Sequence, residues 1–162
     1  VTATEAAAVR RRRRRLITDV RQSLRGLNNQ LSLFNRHVSG QAELKDVDLD
    51  CLELLNLHGP ISPTVLARQA GLHPATMTGV LDRLERGGWV TRERDPEIPD
   101  RRAIRVRALP DRAPELYELF GGMNTALDRI CADYTDAELE LITDFMNRTL
   151  AAARTAADNL DT

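Results

Sequence analysis

The stretch Ile61 to Gly88, ISPTVLARQAGLHPATMTGVLDRLERGG, holds two helix starts and two helix stops within twenty-eight residues. Ser62 can cap a helix whose first residue is Pro63, since proline has no N–H to lose there and its fixed φ suits the first turn. That helix buries Val65, Leu66 and Ala70, and Gly71 stops it. Leu72 and His73 make the turn, and Pro74 begins a second helix. Met77, Val80, Leu81 and Leu84 then share one side, which leaves Pro74, Ala75, Thr76, Thr78, Gly79, Asp82, Arg83 and Arg86 outward. Gly87 and Gly88 end it. Two short helices joined by a Gly-containing turn have the proportions of a helix-turn-helix.

Two short alternating segments follow, WVTRER and RAIRVRAL, bridged by DPEIPD. Alternation puts Ile104 and Val106 on a buried face of the hairpin, with Arg105 and Arg107 on its outer, basic face.

On either side of this block the pattern is helical. Leu16, Val20, Leu24, Leu27, Leu31, Phe34 and Val38 recur at steps of four and three, one apolar stripe of a long helix closed by Gly40. DLDCLELLNLHG reads as a short apolar helix with Asp48 or Asp50 at its capping position and Gly59 at its end. Beyond Pro110 two more helices are expected. The second opens on a capping box of Thr135 and Glu138, and its stripe Leu139, Ile142, Phe145, Met146, Leu150 has the look of core.

Composition narrows the function. Net charge is only −1, but it is sorted along the chain: residues 1–40 carry nine Arg against two acids, and residues 111–162 carry four Arg against eleven acids. Aromatic content of 4% disfavours the stacking platforms that single strands and splayed RNA bases need. Duplex binding has no such requirement. Cys51 and Cys131 lack a partner motif and fit a reduced compartment, as buried spacers rather than redox sensors. The six-arginine run Arg10 to Arg15 is followed by LITDVRQSLRG, too polar for the core of a signal peptide, and nothing reaches transmembrane length. A cytoplasmic protein is expected, with no membrane partner. His37, His58 and His73 share no metal-ligand spacing, and no nucleophile or phosphate-loop motif occurs. No catalytic residue, cofactor or metal is expected, and the chain reads as a non-enzyme.

Residues 66–110, LARQAGLHPATMTGVLDRLERGGWVTRERDPEIPDRRAIRVRALP, resemble the multiple-antibiotic-resistance-regulator (MarR-type) family of bacterial repressors. The resemblance rests on Leu66 with Ala67, Gly71 with Leu72, Thr76 with Thr78, Asp82 to Glu85, Gly88 to Val90, Arg92, and Asp100 with Arg102, in that order and spacing. Two places depart from the family pattern: Gly79 stands where a basic residue is common, and LPDRA, with Pro110 and Ala113, replaces the usual Leu-Thr-x-x-Gly.

The resemblance implies a mainly α protein, one MarR-like domain over residues 1–162. A winged helix-turn-helix at 44–110, with its recognition helix at about 74–86 and a two-stranded β wing at about 89–109, lies between dimerisation helices at 10–40 and 111–160. The implied activity is transcriptional regulation: a homodimer that binds a pseudo-palindromic operator in double-stranded DNA and represses until a small aromatic or phenolic effector releases it. Base and phosphate contacts are expected from Pro74, Ala75, Thr76, Thr78, Gly79, Arg83 and Arg86 of the recognition helix. In the wing they are expected from Asp100, Arg101, Arg102, Arg105 and Arg107, with Arg101 in the minor groove and Asp100 paired to Arg102. Phe34, His37 and His58 are the effector-pocket candidates. The Arg10 to Arg15 run has three readings: a solvated arm with a helical end, the basic start of the first helix, or an extra phosphate contact. A winged-helix module that binds another protein without specific DNA recognition is the alternative reading.

Overall fold

The computed structural model describes residues 3–94 and 103–160. Its elements run α1 (Ala3–Gln41), α2 (Asp46–His58), α3 (Pro63–Gln69), α4 (Pro74–Arg86), β1 (Val90–Arg94), β2 (Ile104–Ala108), a 3-10 turn (Pro110–Arg112), α5 (Ala113–Cys131) and α6 (Asp136–Asp158). The chain divides into two compact units, residues 1–119 and 120–162, with the division inside α5.

The first unit is built on the helix-turn-helix. Ser62 accepts from Val65 N–H at 3.3 Å and caps α3, with Pro63 in the first turn. Gly71, at φ +64°, turns the chain in the left-handed region, where a side chain would be strained. His73, expected only as a turn residue, is the N-cap of α4: its Nδ1 accepts from Ala75 N–H at 3.3 Å. Met77, Val80, Leu81 and Leu84 are fully buried against Leu49, Leu52 and Leu55 of α2 and Leu66 of α3, in the core that holds the unit together.

The wing is antiparallel, Val90 opposite Ala108 and Arg94 opposite Ile104. Only one of the two apolar residues assigned to its buried face is in fact buried. Val106 is wholly inside because its backbone also pairs with Ile61, N–H to carbonyl in both directions at 2.8 and 3.2 Å, which draws the base of the hairpin onto the helices. Ile104, two residues further out, has lost that third segment and is 45% exposed. Arg105 and Arg107, expected fully outside, are half-buried.

Two other expectations are corrected. The helix α2 begins at Asp46, with Lys45 as N-cap and no side-chain cap, so neither Asp48 nor Asp50 caps it. The first helix is longer than its stripe: the six arginines lie inside α1, not on an arm ahead of it, and Gly40 falls within its last residues. Val38, Ser39 and Ala42 at that end are buried, whereas Leu16, Ile17, Val20, Leu27, Leu31 and Leu33 are exposed by 38–53%.

In the second unit, α6 opens on the expected capping box. Thr135 Oγ1 accepts from Glu138 N–H, and the Glu138 carboxylate accepts from Thr135 N–H at 2.9 Å, which holds that carboxyl below its usual range. The stripe taken for core lies largely open within the single chain: Ile142, Phe145, Met146 and Leu150 are 37–49% exposed.

Candidate nucleic-acid interface

The recognition helix is fixed from behind and presents small residues in front. With its four apolar side chains buried, Pro74, Ala75, Thr76 and Thr78 are exposed along its first turn and a half, where a helix entering the major groove meets base edges. Thr78 donates its hydroxyl to Pro74 O at 3.2 Å, so it offers a partner its methyl group and lone pairs rather than its proton. Gly79 is half-buried, yet a Cβ placed there would meet nothing nearer than Arg83 Nη1 at 3.7 Å, an ordinary contact. Packing within the chain therefore does not require glycine at 79.

The arginines of this region fall into two groups. Arg83 points back into the protein: Nε donates to Asp48 Oδ2 at 3.0 Å and Nη2 to Oδ1 at 2.6 Å. The Asp48 side chain is 3% exposed, and this bidentate bond raises the Arg83 pKa. Arg92, at the start of the wing, reaches both Asp82 and Glu85 at 2.7 Å, while its own N–H donates to Glu85. It thereby clamps β1 to the end of α4. On the wing, Glu93 accepts from Arg105 at 2.8 Å and from Arg107 at 3.3 Å, which pulls its carboxyl below the usual range. These four guanidinium groups organise the unit. By contrast Arg86, whose Nε donates to the Asp82 carbonyl, and Arg94 at the outer end of β1 are exposed. The expected tip contacts, Asp100, Arg101 and Arg102, lie outside the described residues.

Sequence reasoning gave Asp48 only a capping role and Arg92 only a place in the family pattern, and it passed over Arg94 and the base of the wing. There Arg112 lies over the ring of buried Trp89 at 3.8 Å and donates to Gly87 O at 2.9 Å. One signal for Asp48 was available: it shares a helical face with Leu52 and Leu55, and an acid on an apolar face calls for a cation. Cys51, one turn from Asp48, is buried, and burial followed by Asp50 and Asp48 pushes its thiol up to about 11. A thiol held neutral is a poor redox sensor. Cys131 is half-buried.

Of the effector candidates, Phe34 is half-buried, while His37 and His58 are exposed, His37 Nδ1 lying 2.7 Å from Leu33 O. A cleft of about 260 Å³ on α1 and α2 is lined instead by Asn28, Leu31, Ser32, Asn35, Arg36, Asp46 and Asp50. Burial and Asp46 raise the pKa of Asp50, and burial and Asp50 raise that of Glu53. Among the described residues no cluster of His, Cys, Asp and Glu could hold a metal ion, and no helix is long and apolar enough to cross a membrane.

A buried helix-turn-helix, a second helix with a small outward face and a β hairpin clamped behind it define a winged-helix DNA-binding protein. Comparison with known proteins narrows the class. The family model described as "MarR family" matches residues 44–104. The chain is 32% identical over 127 residues to YcgE of Bacillus subtilis, an uncharacterized HTH-type transcriptional regulator, covering 78% of this chain and 81% of the relative. YetL of the same organism, an HTH-type transcriptional repressor, is 31% identical over 81 residues, 50% of this chain and 47% of its own length. A MarR family protein from Bacillus stearothermophilus shares the fold, with a TM-score of 0.63 at 22% identity over 88% of this chain and 97% of that one. The chain belongs to the MarR family. It is a DNA-binding transcription regulator and not an enzyme.

Proposed function

We propose that the chain acts in the cytoplasm as a homodimeric, sequence-specific repressor whose α4 helices enter successive major grooves of a pseudo-palindromic operator. The observation that carries this reading is the outward face of α4, where Thr76, Thr78 and Gly79 stand on a helix whose other side is wholly buried. Small side chains let a helix backbone approach base edges closely, and hydroxyl and methyl groups match the mixed acceptor, donor and methyl pattern of the groove. Dimerisation is supported by the exposed apolar stripes of α1 and α6, which no monomer in water would favour leaving open. Arg86 and Arg94 supply phosphate contacts on the described surface. Repression follows from occupying promoter DNA, in keeping with the name of YetL. Release follows if a small aromatic or phenolic acid, held near Phe34, His37 and His58, binds a dimer whose recognition helices are wrongly spaced. Only a ligand with unequal affinity for the two spacings can do this.

Binding to the DNA upstream of the gene, against random duplex across a salt series, tests the reading. The expected result is a specificity ratio of at least about 10³ with half-sites about 10 bp apart or a small multiple of that. Equal affinity for both duplexes would sink sequence-specific regulation, and no binding to either would favour a protein partner.

Gly79→Ala probes the groove contact itself. Because the added methyl meets no clash, the chain should gain up to about 1 kcal/mol from helix propensity. Operator affinity should nevertheless fall about tenfold while random-duplex affinity holds, since only the specific complex needs the close approach. Unchanged operator affinity, measured beside a urea melt, would remove Gly79 from the interface.

A further inference from the structure

The six arginines at 10–15 are a motif that the winged helix does not use. All six are exposed along one and a half turns of α1. Arg10 Nε donates to Ala6 O at 3.4 Å, and among the described residues none of the six forms an ion pair. Residues 6–18 contain no acid at all. The placement works against the helix. Arg10–Arg13, Arg11–Arg14, Arg12–Arg15, Arg10–Arg14 and Arg11–Arg15 are like-charge pairs at neighbouring helical positions. An external polyanion relieves that repulsion.

From these features we infer that the Arg10–Arg15 segment is a second contact surface for duplex DNA, distinct from the recognition helix and wing, binding phosphates outside the operator. Charge density argues for this occupant. Six guanidinium groups fall within about 9 Å of helix axis, and at least about half of them can face a duplex that carries one phosphate per about 1.7 Å of its own axis. Six successive residues also point in every direction around the axis, so the segment has no apolar side to lay on a protein surface; the stripe begins only at Leu16. All six are Arg, the side chain suited to bidentate phosphate contacts. The site is separate because α1 is anchored at its other end, where Val38, Ser39 and Ala42 are buried. From Arg15 to Val38 the helix runs about 35 Å.

The test uses the full chain and two variants, one with all six arginines changed to Gln and one with Arg11→Gln, Arg13→Gln and Arg15→Gln, glutamine being a comparable helix former. Circular dichroism and sedimentation confirm fold and assembly. The probe is a 60-bp random-sequence duplex, titrated across a salt series. At about 50 mM salt the six-fold variant should bind at least about 10-fold more weakly, with a log–log salt slope smaller by about 0.9 for each phosphate released and by 3 or more in total. The triple variant should fall between. Wild-type affinity and slope in both variants would overturn the inference. So would an unchanged slope with a shifted monomer–dimer equilibrium or lost binding to anionic lipid vesicles, either of which would give the segment to a different occupant.

Discussion

Arg83→Ala should cost the protein about 3 kcal/mol of stability before any loss of DNA affinity is counted. Its guanidinium holds both oxygens of Asp48, and that carboxylate is almost wholly inside. Removing the cation leaves a carboxylate that is 3% exposed without its bidentate partner, and breaking a buried pair from one side is the costly way to break it. For a chain of this size the loss is equivalent to a fall in Tm of roughly 6–12 °C. Urea melts at fixed protein concentration would show the midpoint moving with the slope unchanged. A residue that only touched DNA would behave in the opposite way, leaving the melt alone and weakening the complex. Arg83→Met with Asp48→Leu sharpens the test: with both charges gone most of the stability should return, because two apolar side chains can fill the space without a desolvated ion. A single-variant loss below about 0.5 kcal/mol would reduce the pair to an ordinary surface contact. The consequence for function is that Arg83 is a positioning residue. It ties α4 to α2 and so sets the angle at which α4 presents its exposed Thr76 and Thr78.

The reason Arg83 looked like a DNA contact is instructive. Helical periodicity places it on the outward side of α4, and that is all periodicity can do: the partner that turns it inward lies thirty-five residues earlier. What was legible in the sequence was local. The cap at Ser62, the prolines opening α3 and α4, the left-handed turn at Gly71 and the capping box at Thr135 all depend on neighbours within four residues. Val106 and Ile104 show where alternation stops deciding burial. It gives them the same face, but Ile61 pairs alongside Val106 alone and seats it against the helices, which Ile104 does not reach. Arg105 and Arg107 likewise read as an outer basic face, yet Glu93, directly across the ladder from Arg105, draws both onto the hairpin. The candidate site thus keeps its small residues on α4 and loses part of its expected charge. The cations left exposed on α4 and the wing, Arg86 and Arg94, are the ones that form no ion pair among the described residues.

Charge at the centre of the α6 stripe should dissolve the dimer, and Phe145→Glu is the variant to make. Ile142, Phe145, Met146 and Leu150 recur at helical spacing and are each a third to a half exposed in the single chain. In the proposed homodimer such a stripe is half of the interface: covered by protein it is core, uncovered it is a liability. Burying one phenylalanine side chain is worth about 2–3 kcal/mol. In a two-fold interface each substitution appears twice, and two unpaired carboxylates replace the two rings. The dimer dissociation constant should therefore rise by at least about 10³-fold, and sedimentation at micromolar concentration should find monomer. DNA binding reports the same event independently. A monomer carries one recognition helix and occupies one half-site, so it forfeits the gain from tethering two, and apparent operator affinity should drop by about 100-fold or more. The winged helix itself should stay folded, because its core is made of α2, α3, α4 and the wing. Ala151→Glu, an exposed position on the opposite side of α6 from Ile142, serves as the control and should leave both readouts near wild type. If Phe145→Glu sedimented as wild type and held its operator, the stripe would not be the dimer face. If instead it became monomeric and still bound the operator at full strength, two-fold recognition would be the part to abandon.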